Sequence, residues 1–256
     1  MTGALLAAQR IDKRFGGVQA LSAVDFSIAR GEIYGLIGPN GAGKTTLFNV
    51  LTGIYAPDGG EFLFQDSTLH GLRPHEIAAR GIARTFQNIR LFGNLTVLEN
   101  VMIGRHVRTH AGILGAILRT PRQRSEEAAI EARALELLAY CGIRERANDL
   151  ARHLAYGDQR RLEIARALAT EPQLVALDEP AAGMNPTETR GLQRLLERIR
   201  ADGVTLLIIE HDMRLMMGLC DRVLVLNFGR RIAEGAPKDV QRDPAVIEAY
   251  LGSEAT

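Results

Sequence analysis

Nine residues at 38–46, Gly-Pro-Asn-Gly-Ala-Gly-Lys-Thr-Thr, constrain this chain more than any other stretch. Gly38, Gly41 and Gly43 let the backbone turn tightly and approach a polyanion without Cβ clashes, so successive N–H groups can point inward at phosphate oxygens. Between them, Pro39, Asn40 and Ala42 complete a loop whose amides make a cradle. Lys44 adds a point charge for terminal phosphates, and Thr45, followed by Thr46, places a hydroxyl where Mg²⁺ would bridge them. The flanks agree with this chemistry. Residues 33–37 carry a buried-strand pattern, while Leu47, Val50 and Leu51 recur at helical spacing until Gly53 supplies a stop. A helix beginning there aims the positive end of its dipole at the phosphates. The stretch therefore predicts nucleotide binding on an α/β fold.

Upstream, residues 5–28 alternate apolar and polar in short pieces, with turns at Gly16-Gly17 and Arg30-Gly31, and predict antiparallel strands. Phe15 sits on a turn among Lys13, Arg14 and two glycines; it is either a core phenylalanine or an exposed ring able to stack on a flat base. After the first helix, Pro57-Asp58-Gly59-Gly60 is turn chemistry, 61–64 a short strand and 75–80 a small helix closed by Gly81. The pattern over 82–86 predicts a strand ending at Gln87, a residue able to reach Mg²⁺ or a water near a γ-phosphate.

From 96 to 169 the periodicity is helical throughout, as for an inserted helical subdomain. Inside it, 105–124 carries Arg105, Arg108, Arg119, Arg122 and Arg124 without an acidic residue. Such a run is a solvated loop or a surface near lipid headgroups. No global field adds to it: lysine plus arginine number 31 against 30 aspartate plus glutamate. At 154–166 the run Leu-Ala-Tyr-Gly-Asp-Gln-Arg-Arg-Leu-Glu-Ile-Ala-Arg opens a helix near Gly157, a second place where an amino-terminal dipole favours an anion.

Residues 174–177 are an apolar strand that stops at Asp178-Glu179-Pro180. Two carboxylates there are costly unless used. Ligand crevices in open α/β sheets lie at such strand ends, so Asp178 is expected to hold Mg²⁺ through water and Glu179 to activate the attacking water. An amphipathic helix over Leu192, Leu195, Leu196 and Ile199 ends at Asp202-Gly203. The next strand, 204–209, delivers Glu210, His211 and Asp212, with His211 placed to touch a γ-phosphate. A hairpin at 222–233 and two proline-led helical patterns follow. Cys141 and Cys220 match neither a redox nor a metal-ligand spacing and are expected to be reduced packing residues in a cytosolic setting. No apolar run reaches the ~20 residues needed to span a bilayer, so any membrane involvement is expected to run through a partner chain.

Residues 38–46, Gln87, 154–159, 174–180 and His211 together resemble the ATP-binding cassette (ABC) ATPases, in the right order over nearly the whole chain. The resemblance implies a P-loop NTPase domain with a RecA-like core and antiparallel β-subdomain (1–87 and 160–235), a helical subdomain (88–159) and a carboxyl-terminal appendage (236–256). It implies MgATP as substrate and a head-to-tail dimer, each ATP lying between the cradle of one chain and the 154–158 signature of the other. Phe15 then stacks adenine, Gln87 ligates Mg²⁺ and touches a transmembrane partner, Thr45 and Asp178 also hold the metal, Glu179 is the general base, and His211 holds the γ-phosphate. The signature departs from the usual Leu-Ser-Gly-Gly-Gln at Ala155, Tyr156 and Asp158, keeping Gly157, and the usual last aspartate of the dimer-contact loop is Asn185.

Both departures, with Ala-Ala-Gly-Met-Asn-Pro, Ile-Ile-Glu-His-Asp-Met and the Ala-Tyr-Leu-Gly ending at Gly252, are similar to the branched-chain amino acid importers. That similarity implies an ATPase peripheral to the cytoplasmic face of the membrane. Its expected partners are permease subunits, a second ATP-binding subunit (identical or sister) and, indirectly, a solute-binding protein, with no nucleic acid. The alternatives are importers of urea or short amides, a soluble ABC ATPase acting on nucleic acid or the ribosome, and a non-hydrolysing regulatory module. The intact Lys44, Asp178, Glu179 and His211 argue against the last.

Overall fold

A computed structural model describes residues 3–105, 121–210 and 213–251. Five strands carry the sheet that matters for the site: β3 (Ile33–Ile37), β6 (Ile82–Arg84), β7 (Leu174–Asp178), β8 (Thr205–Ile209) and β9 (Arg222–Asn227). They run parallel, and β10 (Arg230–Gly235) pairs antiparallel to β9, giving the order β10-β9-β3-β8-β7-β6. Every residue of β3, β7 and β8 is buried, the mark of strands covered on both faces.

The period of two then divides each strand between two cores. Ile33 and Ile37, Val175 and Leu177, and Leu206 and Ile208 point into a core shared with the helices. Tyr34 and Leu36, Leu174 and Ala176, and Leu207 and Ile209 point the other way, against the first helix and a second sheet. That second sheet is antiparallel, ordered β2-β1-β4-β5, from β1 (Ala4–Phe15), β2 (Val18–Ala29), β4 (Gly59–Phe64) and β5 (Ser67–Thr68). Each fully buried Leu, Ile or Phe contributes about 1.5–3 kcal/mol by leaving water, so the parallel sheet is held from both sides.

Helix α1 (Lys44–Leu51) buries Leu47, Phe48, Val50 and Leu51 under the antiparallel sheet. The small helix α2 (Pro74–Arg80) ends at Gly81. A helical layer lies on the opposite side of the parallel sheet: α3 (Val97–Arg105), α4 (Pro121–Cys141) and α5 (Tyr156–Leu168), packed on one another. Helix α6 (Pro186–Ala201) buries Leu192, Leu195, Leu196 and Ile199, and α7 (Met213–Leu219) joins the same core. The terminal helices α8 (Pro237–Val240) and α9 (Pro244–Leu251) pack on the β9–β10 hairpin.

Two expectations need correction. The strand after Gly81 stops at Arg84 and does not reach Phe86: the Thr85 amide still donates to Ala176 O at 2.9 Å, but the Phe86 amide turns away to the Glu163 carboxylate at 3.0 Å. The stretch 96–169 is not helical throughout either. After Gly142, with φ +77°, the chain makes two 3₁₀ turns, Arg144–Arg146 and Ala151–His153, and Leu150 bridges to Thr96. Amides there bond to remote carbonyls, Val97 to Asp149 and Ala151 to Leu95, which removes the i−4 pattern of a helix. Of the basic stretch, Arg105 pairs with Glu171, while Arg108, Arg119 and the side chains of Arg122 and Arg124 lie outside the described residues. Both cysteines are buried, and burial pushes each thiol up to about 12.

Candidate functional site

Strand β3 runs buried into Gly38, where the backbone takes φ +151° and a Cβ would strike the Leu226 carbonyl of the neighbouring strand. Only glycine fits there. Gly43, at φ +101°, is the N-cap of α1 and offers no side-chain cap, so the first N–H groups of the helix remain available to an anion. Lys44 folds back over the loop, its Nζ donating to Gly38 O at 2.6 Å and Pro39 O at 2.9 Å. Burial pulls its pKa down, and the nearby Glu179 and Asp178 carboxylates push it back up. The loop walls a cavity of about 430 Å³, lined by residues 40–46 together with Gln87, Glu179, Val18–Ala20 and Phe228-Gly229.

The acidic groups arrive from the ends of β7 and β8. Asp178, the last residue of β7, is 4% exposed, and its carboxylate accepts from Arg84 Nη2 at 3.3 Å. Burial raises its pKa, and Arg84 opposes the rise. Arg84 is itself fixed by Asn49 Oδ1 at 2.8 Å and Thr52 Oγ1 at 2.7 Å, with its guanidinium over the rings of Phe48 and Phe86. Glu179 adopts a left-handed φ of +45°, a conformation that costs a non-glycine residue on the order of 1–2 kcal/mol. Its amide donates to Ile209 O at 2.9 Å, and its carboxylate accepts from Gln87 Nε2 at 2.8 Å. Glu210, at the end of β8, accepts from the Ala181 amide at 2.8 Å and pins the turn after Glu179.

Helix α5 starts at Tyr156 with Ala155 as an N-cap that has no capping side chain. Gly157 is buried against Glu188, where a Cβ would come within 3.1 Å of Oε1, and Tyr156 is 42% exposed. Ala155, Tyr156 and Gly157 do not line the cavity of their own chain. Phe15 is 42% exposed at the end of β1, edge-on to Tyr55 and with Lys13 Nζ at 5.4 Å from its ring, so it is not a core phenylalanine. His211 lies outside the described residues.

The structure thus brings together Lys44, Thr45, Gln87 and Glu179, with Asp178 close enough to act on the charge of Lys44. No group of three or more His, Cys, Asp or Glu side chains among the described residues is arranged to hold a metal ion. The donors at the cavity are instead the Thr45 hydroxyl, the Gln87 amide and the Glu179 carboxylate, with Asp178 behind them, hard oxygen groups of the kind that suit Mg²⁺ alongside phosphate oxygens.

Sequence reasoning missed three features. Arg84 ends an apolar strand, where a charge demands a buried partner, and that was the available signal. Arg160 and Glu163, both buried on α5, are spaced i, i+3 as helical ion pairs are. Phe228, 83% exposed with φ +44°, lines the cavity and carried no signal beyond its turn.

The family profile described as ABC transporter matches residues 21–182, and one described as branched-chain amino acid ATP-binding cassette transporter matches residues 230–256. The chain is 47% identical over 253 residues to the high-affinity branched-chain amino acid transport ATP-binding protein LivG of Escherichia coli (strain K12), covering 98% of this chain and 99% of that one. It is 44% identical over 254 residues to BraF of Pseudomonas aeruginosa, which carries the same description, again covering 98% and 99%. Among solved structures, an ATP-binding cassette of an ABC transporter in its ADP conformation superposes with a TM-score of 0.85 at 34% identity, covering 98% of this chain and all of that one.

Proposed function

The chain belongs to the ABC transporter family, and from that premise we propose that it is the ATP-hydrolysing subunit of an importer of branched-chain amino acids. The observation that carries the hydrolytic part is the meeting of Lys44, Gln87 and Glu179 on one cavity that the phosphate cradle walls. The solute class rests on full-length similarity to LivG and BraF.

In this reading the loop amides of residues 38–46 and the start of α1 bind the ATP phosphates, and Lys44 exchanges its bonds to Gly38 and Pro39 carbonyls for bonds to the β- and γ-phosphates. Phe15 and Val18 flank the base. Thr45, Gln87 and Asp178 would hold Mg²⁺, which would supply positive charge against the phosphates. A water attacks the γ-phosphorus, forming the new P–O bond as the bond to the β–γ bridging oxygen breaks. Glu179 takes the water's proton, ADP leaves with the bridging oxygen, and His211 steadies the γ-phosphate. Gln87 aims the Glu179 carboxylate through its 2.8 Å hydrogen bond.

The signature residues Ala155, Tyr156 and Gly157 serve the cavity of a second ATP-binding subunit. Ala155 brings no hydroxyl to that site, so the Gly157 N–H and the dipole of α5 carry the contact. No helix among the described residues is long and apolar enough to cross a membrane. Similarity to the transport ATP-binding proteins LivG and BraF supports a subunit that works at the cytoplasmic face on permease subunits, which receive solute from a separate binding protein.

Two variants test the chemistry. Glu179→Gln should bind ATP yet lose roughly 10²- to 10⁴-fold in turnover, the range for a general base; near-normal turnover removes the assignment. Lys44→Ala should instead lose nucleotide affinity, measured by titration with a fluorescent ATP analogue. For the solute, the complex purified with its permease subunits and binding protein should hydrolyse ATP faster on addition of leucine, isoleucine or valine. Stimulation by urea or short amides alone would overturn that part.

A further inference from the structure

Arg160 is fully buried, and every bond it makes is accounted for by two places in the fold. Nη1 donates to Phe86 O at 2.7 Å and to Glu163 Oε2 at 2.8 Å; Nη2 donates to Gln87 O at 3.0 Å and to the Tyr156 hydroxyl at 3.0 Å. Glu163, 1% exposed, uses its other oxygen to accept from the Phe86 amide at 3.0 Å. The peptide groups of residues 86 and 87 are therefore gripped by helix α5, just where strand β6 has ended and the sheet no longer holds them. From Gln87 the path continues through its side-chain amide to Glu179 at 2.8 Å. Tyr156 adds a second contact, its ring lying against Gly183 on the turn that follows Glu179.

We infer that Arg160 and Glu163 are positioning residues that make the backbone of Phe86 and Gln87 travel with the signature helix, so that tilting the helical layer moves the Gln87 amide relative to the Glu179 carboxylate. This rests on the reading of Glu179 as the proton acceptor. The pair's energetics favour such a role over a merely stabilising one. Buried ion pairs replaced by apolar side chains of similar volume are often neutral or more stable. What an apolar pair cannot reproduce is the fork that holds the successive carbonyls of Phe86 and Gln87 and the carboxylate that accepts from the Phe86 amide just before them.

The test uses the complex with its permease subunits and two variants. In Arg160→Met/Glu163→Leu both charges leave together, so no lone carboxylate is stranded in the core. Arg160→Lys keeps the charge beside Glu163 but loses the fork. Each should keep its ATP KM within about twofold while kcat falls roughly 10- to 100-fold, the loss seen when a group that sets reacting geometry is misplaced by about an ångström. Solute stimulation should vanish with it.

Hydrogen exchange supplies a readout independent of activity. On adding ATP, wild-type segments 84–90 and 154–162 should change protection together, and in both variants only the first should change. Wild-type kcat and stimulation in the variants, a rise in KM without loss of kcat, or joint exchange behaviour that survives the substitutions would each overturn the inference. So would the absence of a joint change in the wild type. Glu179→Gln, assayed in parallel, separates the two claims: normal turnover there removes the proton acceptor while the exchange pattern still decides whether α5 carries Gln87.

Discussion

Arg84 joins residues that lie far apart in the chain. Its guanidinium holds Asn49 and Thr52 of the cradle helix region, stacks between two phenylalanines and neutralises Asp178. Both charged side chains of the pair are less than a tenth exposed, so removing one leaves the other uncompensated in the core. Arg84→Leu should lower stability by about 3–5 kcal/mol, the usual cost of breaking a buried pair from one side, read as a shift in the urea midpoint at unchanged slope. The cradle could be recognised from sequence because its chemistry is written in nine consecutive residues. The Arg160–Glu163 spacing is local to one helix, but Asp178 could not be assigned to Arg84, nor the Phe86 carbonyl to Arg160, because those partners lie 94 and 74 positions away. Sequence spacing reports neighbours within one element, and these bonds join different ones.

At the scale of the element, the departure at Asn185 has a simple local use. Its Oδ1 accepts from the Thr187 and Glu188 amides at 2.9 and 3.0 Å, the Glu188 carboxylate accepts from the Asn185 backbone N–H, and Pro186 opens α6. Aspartate would cap as well, so the exchange costs the helix nothing. Asn185→Ala should cost about 1 kcal/mol and Asn185→Asp close to none, measured by equilibrium denaturation. Helix α6 was readable because its leucines repeat at 3.6 residues and its ends carry Pro and Gly signals. The segment 142–155 was not. Its apolar residues are buried by short 3₁₀ turns and a single bridge, which leave the same hydrophobic density without the period.

Over the whole molecule, the parallel sheet separates two cores, and both cysteines lie in the one on the helical side: Cys141 at the end of α4 and Cys220 after α7. With both thiols raised to about 12 by burial, the thiolate is scarce at pH 8. Iodoacetamide at that pH should label neither cysteine in the native protein and both in 6 M guanidinium. Labelling of one alone in the native state would locate a local opening on that side of the sheet.

The central position of β3 also sets an order of events in synthesis. The strand that leads into the cradle lies between β9 and β8, and both of those strands belong to the last fifth of the chain. A nascent polypeptide leaves the ribosome amino end first, so the nine residues at 38–46 emerge long before either neighbour exists to hold them. Gly38 cannot take its place against Leu226 until that carbonyl has been translated. A chain released before residue 226 therefore carries the complete phosphate-binding sequence yet lacks the wall on which it is shaped.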